Sequence, residues 1–235
     1  MYNPIFWKAR FRDDFIPAVR RVEDVFLNRI MPTFSTIESE SEALTEQLWD
    51  EAMAQPYYGG GPDEGDIAEA VQDAGISHYL GLKGMEQGLL NCCALFLYHL
   101  YEQHLMLFHR KELLGLREQH NSALFTHKEI HKRLKSANVD VQAFVAWAKL
   151  EELRCLANTI KHAEGNSSRE LLALAPHLFA PPTQKGSVPD NFGASGHVYS
   201  PLVGDDIFVT PEQVRAYASA IESFWLELSA ALEAI

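Results

Sequence analysis

Cysteine is scarce in this 235-residue chain: Cys92, Cys93 and Cys155 are all there is. No C-x-x-C pair occurs, which excludes a disulfide framework and a zinc ribbon and points to reduced thiols in a cytoplasmic setting. Positive charge is also in short supply. The chain has 20 Lys and Arg against 32 Asp and Glu, a net charge of −12. That disfavours sequence-blind nucleic-acid binding but leaves room for a local basic site. The N-terminus, Met1 to Lys8, has no basic segment followed by an apolar one, so no signal peptide is expected. Long apolar runs are missing too. The richest window, 89–108, contains Asn91, His99, Glu102, Gln103 and His104, too many polar groups for a bilayer.

Catalytic signatures are equally sparse. There is no G-x-S-x-G elbow, and the glycine-rich loop 56–65 lacks the Gly-Lys-Ser/Thr ending of a phosphate loop. His127 and His131 have the i, i+4 spacing of zinc ligands. The residues between them are Lys-Glu-Ile, however, and neighbouring lysines repel a cation. No metal and no cofactor is therefore expected.

What the chain does have is helical periodicity, and it reads as all-α: one domain over 1–235, a bundle around a long central helix. Residues 15–31 form a helix closed by Pro32, and Ser35 caps a second that runs to Gln55. The central helix spans about 76–114, with Gly81, Gly84 and Gly88 as points of interruption. Thr126-His-Lys-Glu129 has the form of a capping box and opens a short basic helix. Asp140 caps the helix that follows, and Gly165 ends it in a left-handed conformation. Ser167 or Ser168 starts a short helix stopped by Pro176. Residues 180–205 form a long surface loop. His197–Val203 and Asp206–Val209 make a small hairpin through Gly204-Asp205. Thr210-Pro-Glu-Gln213 opens a C-terminal helix over 211–233 that packs back on the core.

One stretch, Trp147 to Gly165, carries more polar chemistry than solubility requires. Its apolar face is Ala146, Leu150, Leu153, Ala157 and Ile160. Beside it runs a stripe of Glu151, Arg154, Asn158, Lys161 and His162. Asn91, His99, Glu102 and Gln103 of the central helix would be costly to bury unpaired. Glu102 is expected to face this stripe, with Arg154 or His162 as its partner and Glu151 beside them. The alternative is that these polar groups of the central helix reach the surface or pair with one another. The stripe has two readings. One is a structural network that fixes the helix. The other is a metal-independent ribonuclease site. There His162 exchanges protons with a 2′-hydroxyl or the leaving oxygen, Arg154 and Lys161 bind phosphate, and Asn158 orients His162 or the substrate. Lys128, Lys132, Arg133 and Lys135 would then lead RNA to the site.

At Arg154-C-L-A-Asn158-T-I-Lys161-His162 the chain resembles the HEPN superfamily, helical proteins of prokaryotic conflict systems with an Arg-x(4–6)-His motif on a late helix. The resemblance covers mainly residues 76–165. Seven residues, rather than four to six, separate Arg154 from His162, which turns the two side chains about 80° apart; Asn158 or Lys161 would then take the place of Arg154. The resemblance implies a homodimer with two such helices across a two-fold axis, and RNA cleavage in a toxin or anti-phage role. The reading from another class is a non-enzymatic helical module that binds a protein partner, such as an antitoxin or a defence subunit.

Overall fold

The computed structural model describes residues 3–55, 59, 63–181 and 197–234, and among them every regular element is helical, with no strand. Helices α1 (Pro4–Arg10) and α2 (Ile16–Val25) are joined through a π-turn, and a second π-turn carries the chain to Ile30. Asn3 caps α1 by accepting the Phe6 N–H. Trp7, Phe11 and Phe15 turn inward to meet Phe108 and Trp225, with centroids 4.9 Å apart for Trp7–Phe108 and for Phe11–Trp225. Helix α3 (Ile37–Met53) starts from Thr36, not from Ser35, whose hydroxyl instead donates to the Pro32 carbonyl.

The central helix α4 is a single 45-residue rod, Glu64–Phe108, about 67 Å long at 1.5 Å per residue. It starts twelve residues before the sequence expectation because Asp63 and Asp66 form a reciprocal capping box. The glycines do not interrupt it. Gly84 and Gly88 are the places where the segment 197–209 crosses, and a Cβ on Gly88 would lie 2.1 Å from the Leu202 carbonyl oxygen. Asn91, fully buried, donates to the carbonyls of Pro201 and Ile207 and accepts the Val209 N–H. The expected hairpin is therefore absent. The backbone groups that would pair across it are taken by Asn91, by Gln87 and by Asp206, which accepts the N–H groups of Tyr199 and Ser200.

Helix α5 (His127–Ser136) starts at Thr126, which accepts the Glu129 N–H. The capping box is only half made, because the Glu129 carboxylate turns to Arg133. Asp140 caps a short 3-10 turn over Val141–Ala143 instead of the next helix, α6 (Trp147–His162). Ala163 takes the positive φ (58°) after α6, while Gly165 is extended. Helix α7 (Asn166–Leu174) follows, held at its start by Ser168 against Gly165 and ending before Pro176. Helix α8 (Pro211–Glu233) opens with the full Thr210–Gln213 box and buries Val214, Tyr217, Ile221, Phe224, Trp225, Leu228 and Leu232.

The second half of α4 forms the core with α2, α6 and α8, and α7 covers α6; α3 lies on α4. The core of the expected 180–205 loop, residues 182–196, lies outside the described residues, as do 56–58 and 60–62 of the glycine-rich loop. Among the described residues no helix is long and apolar enough to cross a membrane.

Candidate functional site

Helix α6 buries Leu150, Leu153, Leu156, Ala157 and Ile160, together with Cys155 and Thr159. Glu152, only 8% exposed, is buried with them, opposite in fate to its neighbour Glu151. It accepts from the Tyr217 hydroxyl at 2.8 Å and from Lys149 at 2.7 Å. Sequence reasoning missed this group. The available signal was Tyr217 on the apolar face of α8, since a buried tyrosine hydroxyl requires a partner.

The polar stripe divides into two ends. At the first, Arg154 is held between two carboxylates, with Nε 3.0 Å from Glu151 and Nη2 3.0 Å from Glu170 of α7. Partial burial works against the guanidinium's charge, but Glu170 and Glu151 outweigh it and raise its pKa. Beside it, burial pushes the Cys155 thiol up to about 11, so it is a packed thiol rather than a nucleophile near neutral pH. At the second end, Asn158 is half-buried, while Lys161 and His162 are exposed. Among the described residues no hydrogen bond or ion pair engages these three side chains. By helical rise His162 lies about 12 Å along the axis from Arg154. The next residue, Ala163, sits at φ 58°, ψ −131°, a conformation that a side chain with a Cβ rarely adopts.

Glu102 does not pair with Arg154 or His162. Its carboxylate meets His99 Nδ1 at 3.2 Å and His127 Nε2 at 3.1 Å. Helix α6 does pack on α4, but Arg154 is drawn to Glu151 and Glu170, and His127 at the start of α5 reaches Glu102 instead. His127 stacks on Tyr98 at 6.4 Å, and His131 sets its edge on Trp147 at 5.0 Å. Burial first, then His127, lowers the His131 pKa. Tyr98 lies between the two clusters. Burial raises its pKa, and the charges of Glu102, Arg154 and Glu151 all reach it. The Glu102 carboxylate and its two imidazoles thus form a polar cluster at the meeting of α4 and α5. The pairing of His99 with Glu102 is the alternative in which these groups bond one another, and His127 is the partner the sequence did not indicate.

The basic face of α5 is mostly matched by acids. Arg133 bonds Glu118 at 2.7 Å, Glu129 at 2.8 Å and the Leu113 carbonyl. Lys135 meets Asp140 at 3.2 Å, and Lys132 approaches Glu129 at 3.8 Å. Lys128 is exposed and, among the described residues, has no ion pair. Arg133 is therefore a clamp between α5 and the 113–118 turn rather than an open cation. Among the described residues no three His, Cys, Asp or Glu side chains converge as a metal site. No family model, no curated protein and no solved structure matches this chain.

Proposed function

We propose that the chain is a helical module that binds a protein partner, with the Glu151–Arg154–Glu170 triad as a brace between α6 and α7. The observation that carries this reading is the state of Arg154. A guanidinium held by two carboxylates stays charged, but its charge is offset on the spot and its Nε and Nη2 donors are engaged, which leaves little for a phosphate. The matched cations of α5 weigh the same way, because a path for RNA needs unpaired ones.

A second reading has its own observation. Lys161 and His162 stand exposed at the end of α6, with no partner among the described residues, next to the strained Ala163. In an HEPN-like ribonuclease, His162 would take the proton of a 2′-hydroxyl while Lys161 offsets phosphate charge. The Arg154–His162 separation means that one chain alone does not bring both to one phosphate, so this reading requires a second copy.

One assay separates the two. Purified protein is incubated with a mixed cellular RNA pool in EDTA, with His162→Ala alongside. The partner-binding reading expects intact RNA from both. Cleavage by the native chain that is lost in His162→Ala, at unchanged helix content and melting temperature, overturns it in favour of the ribonuclease.

A further inference from the structure

Helix α3 and the first half of α4 form an arm apart from the helical core. Among the described residues α3 packs substantially on α4 alone. The arm's own interior is thin, with Ile37, Ser41, Val71 and Gly75 as its buried positions among the described residues. At Gly75 the two helices come together so closely that a Cβ would lie 2.1 Å from Thr45 Oγ1.

Beside this crossing runs an open groove of about 400 Å³ lined by Glu38, Glu42, Thr45, Gln72, Ile76 and Tyr79. Ile76 on its wall is 48% exposed, and Leu80 one turn further along α4 is 61% exposed. Large aliphatic side chains held in water at i, i+4 mark a helix face without a cover.

The charge of the arm says what kind of cover fits. From residue 30 to residue 82 the sequence has eleven Asp and Glu and no Lys or Arg, so this stretch carries eleven of the chain's twelve net negative charges. Elsewhere acids and bases are interspersed and many pair, as in Lys8–Glu233, Arg20–Glu222 and Arg133–Glu118. Among the described residues no ion pair engages the carboxylates between residues 30 and 82. The first cation beyond them, Lys83, pairs with Glu86, lies over the Tyr79 ring and feels the charge of Glu38, so a single lysine of the chain itself already uses this field. Such a field repels nucleic acid and repels the same arm on a second copy. Carboxylates alone select no ligand; the apolar wall inside the field does.

We infer that the arm is a docking site for a basic amphipathic helix of a partner protein. The partner's apolar stripe lies in the groove against Ile76 and Tyr79, and its Lys and Arg residues face Glu38 and Glu42. Charge steers the encounter and the apolar contact fixes the register. This inference deepens the partner-binding reading and rests on it.

The test uses the full chain and a synthetic helical peptide with leucines every third and fourth position and Lys and Arg between them. A scrambled peptide of the same composition serves as control. Saturable one-to-one binding is expected, at least about tenfold tighter for the ordered peptide than for the scrambled one. Ile76→Ser and the pair Glu38→Gln/Glu42→Gln should each weaken it by about tenfold, and only the charge pair should flatten the salt dependence. Equal binding of both peptides, or binding untouched by Ile76→Ser, overturns the proposal. So does concentration-dependent dimerisation of the peptide-free protein that Ile76→Ser abolishes, which assigns the face to a second copy. The His162→Ala chain binds the peptide like the native one. RNA cleavage and peptide binding are thus read separately, and each can fail alone.

Discussion

His104 shows what burial does to a single titratable group. Its ring stacks on Phe15 with centroids 4.0 Å apart, and its Nδ1 is buried without a partner among the described residues. Burial, followed by the nearby Arg10 charge, lowers its pKa from 6.5 to about 4. The native state therefore resists the proton that the unfolded chain accepts. Stability from this residue is complete above pH 6.5 and is lost as pH falls from 6.5 towards about 4. Discounted for the ring's partial exposure, the loss is about 1–2 kcal/mol. His104→Phe should remove that part of the pH dependence. Melting curves of the two chains at a series of pH values check this, and parallel curves across the window would refute it. The polar residues of α4 were visible in the sequence, and so was the i, i+3 spacing that pairs His99 with Glu102, but the partners from other elements were not. Nothing in the spacing of Asn91, His99 and Glu102 says whether α5, α6 or a loop passes over each. Arg154 illustrates the same limit, since Glu170, one of its two partners, lies on the next helix.

Elements were more legible where local chemistry alone decides them. Thr210-Pro-Glu-Gln213 is a complete helix start in sequence and in structure. α4 was harder, because glycine in a helical run has two meanings. At Gly84 and Gly88 it is a packing notch for another segment of chain rather than a break. The 197–209 segment was harder still. Its alternation suggested a hairpin, yet its polar backbone is satisfied by side chains from a helix more than a hundred residues away. Asn91 is the centre of that arrangement. Asn91→Ala should cost about 2–4 kcal/mol, because two carbonyls and one N–H lose their partner in a buried place. Urea denaturation provides the measurement. A loss below about 1 kcal/mol would mean that water replaces the amide at no net cost.

For the whole molecule, net charge misleads unless it is divided. A value of −12 suggests an evenly acidic surface, whereas eleven of those charges lie between residues 30 and 82 and the remaining chain is nearly neutral. Like charges crowded on two helices with a thin shared interior oppose their own packing. The arm should therefore be the least protected part of the fold, and salt should steady it. Amide exchange of α3 is expected to be faster than that of α6 and to slow between 50 mM and about 500 mM NaCl, a range that shortens screening from over 10 Å to under 5 Å. Exchange in α6, whose interior is apolar, should change little. Equal protection of α3 and α6 at low salt would count against the arm as a separate unit of stability.

The notches at Gly84 and Gly88 have a mechanical meaning. A smooth helix in a bundle is free to roll about its own axis or slide by a turn, and every side chain upon it would then change its bearing. Here the carbonyls of Leu202 and Val203 sit in the notches, as a key sits in the slot of a shaft, and Asn91 locks the key one turn further along. The rod is denied both rotation and translation at that point. What projects beyond it is a pointer whose direction in space is fixed by a part of the chain that never touches its tip.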